Sequence, residues 1–392
     1  MLSVLQRARK SLGRAAAVLA ASALTLTACV PSGSSTGPSI DAGQAVPVAL
    51  LVPAGSGQAG DEMLAKSLQN AARLAISDLG GVKIDLRVYP TQGQPGQAQA
   101  MASQAISEGA KIILGPVFAQ EANAAGVVAA SQGINVLSFS NNPDIAGGNV
   151  FILGQTFENT ATRLARYAVS NGKGRVMIVN DANTAGELGR TAIQRGVQAA
   201  GGTVVGAESY EFSQNGVVQA APRIAAAAQS AGAQSVFLTA DTAGALPLIT
   251  QMLSDNGLSP ATVQYMGLTR WDIPAATMAL PGVQGGWFAL PDPQLYQQYR
   301  ARYQAAFGET PHPISGLAYD GIAAIGALIK QGKADALTGS ALTQGAGFAG
   351  VNGIFRLRSN GTNERGLAIA QIRDNQLIVI DAAPRSFGGA GS

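Results

Sequence analysis

Three glycines, Gly55, Gly57 and Gly60, stand in the stretch "VALLVPAGSGQAGD" (residues 48–61) at the spacing G-x-G-x-x-G, after an apolar run and before a helical one. In a dinucleotide site such glycines let the backbone approach a pyrophosphate, which a helix N-terminus then holds. Two departures argue against that chemistry. Pro53 and Ala54 separate the strand from the first glycine, and Asp61 is the natural N-cap of a helix beginning only after the third. The acidic residue that would bind a ribose, expected about 20 residues on at the end of the second strand, is missing too. That strand ends at Tyr89-Pro90, and Asp85 lies within it. What remains is a permissive turn, with Ser56 at its centre, where the backbone passes close to a ligand. No nucleotide and no other cofactor is expected.

Other reactive residues are few. The one histidine, His312 in "ETPHPISG", sits between two prolines and far from any nucleophile elbow, so it reads as a loop or helix-start residue. One histidine and one cysteine, Cys29, cannot build a metal site or a disulfide. "TRWDIP" (269–274) joins a cation, an indole and a carboxylate. Arg270 and Trp271 there either clamp a polar ligand or, with Asp272 as an N-cap, pack locally. In "TADTAG" (239–244), Asp241 and Thr242 end a strand and either cap the next helix or face a cleft, and Asp181 and Thr184 stand in the same position. Trp287, in "GGWFAL", reads as packing in or near a crossover between domains.

The elements that must position these residues alternate regularly. Strands are expected at 46–52, 82–89, 111–114 and 135–138, with helices at 62–79, 97–108 and 120–132 between them. A second series follows: strands at 175–181, 201–210, 235–240 and 262–268, and helices at 186–200, 217–230 and 243–256. Short apolar strands separated by amphipathic helices imply parallel sheets covered on both faces, and hence two doubly wound α/β lobes. After Pro291 come helices at 294–307 and 314–331, then strands near 350–357, 366–373 and 376–380, with residues 386–392 read as a frayed tail.

With 47% hydrophobic and 12% charged residues over 392 positions, the chain can fill two substantial cores. Residues 1–29 read as an export signal: Arg7, Arg9, Lys10 and Arg14 precede an apolar stretch too short to span a bilayer, and small residues lead to Cys29. Setting aside those four basic residues leaves 22 against 23 acidic ones, so nucleic acid loses its electrostatic footprint as a partner. Residues 30–45, "VPSGSSTGPSIDAGQA", have the composition of a flexible linker, and the globular part is expected to begin near Val46.

"VALLVPAGSGQAG", "NAARLAISDLGG", "GAKIILGPVFAQEANAAGVVAASQGINVLSFSNN" and "GRVMIVNDANTAGELGRTAIQRGVQAAGGTVVGAESY" resemble, in this order, the leucine-binding-protein family of type I periplasmic binding proteins. The resemblance spans 46–380 and implies two α/β lobes joined by three crossovers. It places 46–155 with 290–345 in one lobe and 156–289 with 346–385 in the other. Its ligand positions carry over unevenly. The serine that meets the ligand's charged ends falls within Phe118-Ala119-Gln120, where Ala119 has no hydroxyl. Small-residue and threonine contacts fall on Ser140, Asn141 and Asn142, preceded by Ser138; a tyrosine contact falls on Ala185, an aromatic or acidic one near residues 239–242, and another acidic one near Thr269.

With the serine, tyrosine and acid gone, most of a zwitterion's counter-groups are lost. Cys29 with its preceding small residues resembles a lipobox, which implies lipidation and membrane attachment, and Val30 in place of an inner-membrane retention aspartate points to the outer membrane. "GNVFILGQTFENTATRLARYAV" and "GFAGVNGIFRLRSNGTNERGLAIAQIRDNQ" resemble the lipoprotein activators of penicillin-binding proteins. The expectation is therefore a non-catalytic periplasmic lipoprotein that activates a peptidoglycan synthase. The alternative is the receptor of an ABC permease, closing on an amino acid or other small polar ligand.

Overall fold

The computed structural model describes residues 37–388; Cys29 and the last four residues of the expected tail lie outside them. Strand β1 (Val46–Val52) is apolar along nearly its whole length because it is buried on both faces. It pairs in parallel with β2 (Ile84–Pro90) on one side and β3 (Ile112–Leu114) on the other. β4 (Val136–Ser138) and β5 (Val150–Ile152) complete an all-parallel sheet of order β2-β1-β3-β4-β5. Helices α1 (Ala59–Asp78), α2 (Pro95–Ser107) and α3 (Ala119–Ala130) connect the first four strands. This winding leaves the carboxyl ends of β1, β2 and β3 side by side, where ligands bind in such sheets.

The second sheet takes β6 (Arg175–Asp181), β7 (Thr203–Tyr210), β8 (Ser235–Leu238), β9 (Gln264–Gly267) and β10 (Trp287–Leu290), all parallel. β14 (Ala368–Arg373) and β15 (Gln376–Asp381) extend it antiparallel, giving β15-β14-β10-β9-β8-β6-β7. Helices α4 (Phe157–Ser170), α5 (Thr184–Ala199), α6 (Gln214–Ser230) and α7 (Leu246–Asp255) cover it. α8 (Pro293–Phe307), α9 (Gly316–Ile329) and the single turn α10 (Gly339–Leu342) follow. A small antiparallel sheet of β11 (Phe348–Gly350), β12 (Gly353–Leu357) and β13 (Asn363–Arg365) comes next.

The cores show how the chain is shared. Leu50, Leu68 and Leu114 pack in one core with Tyr299 and Tyr303 of α8 and Ile322 and Ile325 of α9. The second sheet has a core on each face: Val236, Trp271 and Phe288 on one, Leu164, Ile193 and Phe237 on the other. Two details differ from the sequence reading. Ile40, assigned to the linker on composition, is buried in the first core, and its N–H donates to the Ala334 carbonyl at 2.9 Å. Phe348, Phe355 and Leu357 also pack in the first core, although the resemblance places the chain after 345 in the second lobe. Period-two alternation along β12 turns Phe355 and Leu357 inward, and the deep apolar space they fill lies beside α9.

Three strands escaped the sequence reading. β5 and β13 have three residues each, too short for periodicity to register, and β10 follows a glycine pair that reads as a loop. α4 begins with a capping box: the Thr156 hydroxyl accepts the Asn159 N–H at 3.2 Å, and Asn159 Oδ1 accepts the Thr156 N–H at 2.9 Å. Thr156→Ala is expected to cost about 1 kcal/mol, read as a lower urea midpoint at unchanged slope.

Candidate functional site

Three helices begin beside one another at the carboxyl ends of β1, β2 and β3. The N-caps of α1, α2 and α3 are Gln58, Gln94 and Phe118, and none of these side chains caps its helix. All three residues line one depression, together with Ser56, Asp61, Gly93, Gln120 and Glu121. By contrast, α4, α5, α6 and α8 are capped by Thr156, Asn183, Ser213 and Asp292. The N-termini of three helices therefore open on a space that no N-cap side chain of their own fills, although Pro95 brings no N–H to α2 and the Asp61 N–H is bonded to the Gln58 carbonyl at 3.1 Å; helix N-termini attract negative charge.

Glu121, in the first turn of α3, lies in the same place. It is 1% exposed, and neither carboxylate oxygen has a hydrogen-bond partner among the described residues. The neighbouring Thr91 hydroxyl donates to the Val52 carbonyl at 3.1 Å and lies close enough to Glu121 to act on its carboxyl. Burial pushes the Glu121 carboxyl above its usual range; the nearby Thr91 hydroxyl and Phe118 backbone oppose the shift, and the charge of Asp61 adds to it. Gly93, at φ +67°, marks how closely the groups converge. A Cβ built there would lie 3.6 Å from Asp61 Oδ2, 3.7 Å from the Phe118 ring and 3.9 Å from Ser56 Cβ. Carboxyl acceptors, free amide donors and a ring 40% exposed thus surround one small volume.

The remaining expected residues divide sharply. Ser56, Phe118 and Gln120 are brought together at this site. Asn141 and Asn142 line a second depression, which the β4 loop shares with Leu188, Thr191 and Arg195 of α5. Thr184 lies on its continuation with Leu188 and Thr191. Ser138 is buried and holds the turn after β3, donating to the Pro116 carbonyl at 2.9 Å, while its oxygen accepts the Ser140 N–H. The Ser140 hydroxyl oxygen in turn accepts the Asn142 N–H at 3.1 Å. These serines shape the loop that presents the asparagines.

In the second lobe several expectations fail. Trp271 is fully buried in the core, and a side chain at Gly267 or Gly286 would collide with its indole, so it clamps no ligand. The two glycines leave the slot the ring needs. Arg270 is paired with Asp272 at its own loop, its Nε donating at 2.9 Å. Asp241 caps nothing: Pro247 in the first turn delays α7 to Leu246, and the N-cap is Ala245. The Thr242 hydroxyl is spent on the Ile273 carbonyl at 2.6 Å. Asp181 is buried, accepting from the Tyr210 and Thr239 hydroxyls.

Asp61 also departs from its expected role as N-cap. α1 starts at Ala59, before the third glycine, which turns the Asp61 side chain toward the depression. Its carboxylate and Glu121 occupy the ground a pyrophosphate would need. The residues missed in sequence are Asp61 in this role, Gly93 and Glu121. For Glu121 a signal existed: a carboxylate on the same stripe as Ala122, Ala125 and Ala129, the buried face of α3. His312 has no acidic partner among the described residues and braces a loop, its backbone N–H donating to the Ser67 hydroxyl at 2.8 Å.

A family model described as periplasmic binding protein matches residues 45–376. Among solved structures, a protein of Rhodospirillum rubrum provisionally named a branched-chain amino acid ABC transporter superposes with a TM-score of 0.71 at 19% identity. The match covers 86% of this chain and 100% of that one. An ABC transporter substrate-binding protein of Desulfitobacterium hafniense in complex with Leu gives 0.63 at 18% identity, over 86% and 100%. A solute-binding protein of Rhodopseudomonas palustris BisB5 in complex with 3,4-dihydroxybenzoic acid gives 0.57 at 20% identity, over 88% and 97%. At these identities the likeness establishes the two-lobed type I fold alone. No curated protein matches the chain.

Proposed function

The chain belongs to the periplasmic binding protein family, and from that premise we propose that it is the solute-binding receptor of an ABC importer, tethered to the membrane by lipid on Cys29. The observation that carries this reading is the convergence of three uncapped helix N-termini with the unpartnered Glu121 at the carboxyl ends of β1 to β3. Free amides seek a carboxylate, while Glu121 and Asp61 seek an ammonium or a hydroxyl donor. The first lobe thereby supplies counter-groups that Ala119 and Ala185 cannot. The ligand is a small polar solute carrying an acid and a donor, closed upon by α5 and the loops of the second lobe. We draw the lobes as residues 37–153 with 293–366, and 156–290 with 367–385.

This reverses the order of the two functions expected from the sequence. The similar structures named above concern solute binding, and the activator reading rests on sequence resemblance alone. The test is a thermal melt of the mature chain against amino acids, aromatic acids, small peptides and muropeptides. A ligand at about 100 times its Kd should add roughly 2.7 kcal/mol. No stabilisation by any of them, with co-purification of a transglycosylase-transpeptidase, would return the activator to first place.

A further inference from the structure

Apart from Glu158, which also lines the depression at Asn141 and Asn142, the stretches "ENTATRLAR" and "RLRSNGTNER" lie outside the depressions described above and meet in a groove of their own. On α4, Asn159, Thr162, Arg163 and Arg166 follow helical spacing and form one face. Opposite, period-two alternation puts Arg356 and Arg358 of β12 and its following turn on the face away from the core, where Glu364 of β13 pairs across from Arg356. The groove encloses about 380 Å³ and is closed at one end by Phe387, over whose ring the Arg356 guanidinium lies at 4.7 Å.

Its charges do not balance. Arg163 is engaged, its Nε donating to the Leu367 carbonyl at 2.7 Å and its other arm pairing with Asp381 at 2.7 Å. Arg365 is buried with Asp320. Arg356 and Arg358 must share the single carboxylate of Glu364, at 2.7 and 3.1 Å. Arg166 is exposed and has no hydrogen-bond or ion-pair partner among the described residues. Glu158, likewise unpaired, offsets one of the two uncompensated cations and leaves the other.

We propose that this groove is an oxyanion site taking a phosphate-type dianion between Arg166 on one wall and Arg356 and Arg358 on the other. Guanidinium groups approaching from two elements suit a tetrahedral anion, which accepts hydrogen bonds in several planes, whereas one planar carboxylate fits one fork. α4 follows the crossover at 153–156 and β13 precedes the crossover at 366–367, so a bound anion ties together the two sides of the hinge.

The test is calorimetry on the mature chain at low ionic strength with inorganic phosphate, and in parallel with glycerol phosphate and with phosphatidylcholine vesicles containing phosphatidic acid. Both Arg166 and Arg358 are exposed, so an Arg166→Ala/Arg358→Ala variant should fold, checked by its unchanged melting curve. It is expected to weaken phosphate binding by at least about 10-fold, as loss of a charge-assisted contact does. Glu158→Gln is expected to tighten it. Loss confined to free phosphate and glycerol phosphate identifies a soluble ligand; loss confined to vesicles identifies a lipid headgroup. No binding of any probe by the native chain, or binding that the double variant retains, would overturn the site.

Discussion

Asp320→Ala is expected to lower the stability of the fold by about 3–5 kcal/mol, the scale at which breaking one side of a buried ion pair acts. Asp320 is fully buried in α9, and Arg365, 2% exposed, faces it at 3.4 Å. The carboxylate accepts the Val351 N–H at 2.7 Å and the Asn352 side-chain amide at 3.0 Å, while Arg365 Nε donates to the Leu153 carbonyl at 2.9 Å. One network therefore fastens α9 and the β11–β12 turn to two crossover strands. Removing the carboxylate strands a guanidinium and a backbone donor away from water. Burial pushes the Asp320 carboxyl upward, with Arg365 and Asn352 opposing the shift. The measurement is the urea unfolding midpoint of Asp320→Ala, Arg365→Ala and the pair. Non-additivity is the signature: the double variant should cost clearly less than the sum. Additive losses would mean that the two side chains do not stabilise one another.

Glu121→Gln should move stability and affinity in opposite directions. In the empty protein the folded carboxyl is shifted above its unfolded value by burial. The stability its neutral form contributes is complete below the unfolded value of about 4.3, and is lost as pH rises through the folded value. Above that folded value the native protein carries an ionised carboxylate with no hydrogen-bond partner among the described residues. The neutral amide relieves that cost, so the variant should melt higher than the native chain at pH 7, with the difference vanishing toward pH 4. Ligand binding should suffer instead. Losing the charged partner of a buried hydrogen bond costs about 2–5 kcal/mol, or about 30-fold or more in Kd. Calorimetry with whichever solute stabilises the native chain checks this. A variant that melts higher and binds as well as the native chain would place Glu121 outside the site. Sites that bind tightly often carry such a local cost in the empty state.

The sequence by itself determined the winding of the chain. β1 (Val46–Val52) and β6 (Arg175–Asp181) fall where apolar runs lie, the run in β6 being residues 176–179, because strands buried on both faces are apolar along their buried length. The alternation of those strands with amphipathic helices then requires parallel sheets, and with them a row of loops at the carboxyl ends. Ser56, Phe118 and Gln120 were legible for that reason: each follows directly on such a strand or opens the helix after it.

Tertiary structure decided which polar groups remain free. Trp271 and Thr242 have the types a ligand site uses, yet one fills a slot left by two glycines and the other serves the Ile273 carbonyl. Both partners are distant in sequence or backbone atoms, to which residue identity is blind. Glu121 shows the reverse, since a carboxylate in an alanine-rich helix gains meaning only when the fold buries it with no hydrogen-bond partner among the described residues. The same holds for the arginines of α4 and β12, some 190 residues apart in the chain and facing one another across a groove. Periodicity reports which face of an element is apolar, because burial repeats along the chain. Hydrogen-bond satisfaction does not repeat, and it is fixed only when the folded backbone brings each donor to its acceptor or leaves it without one.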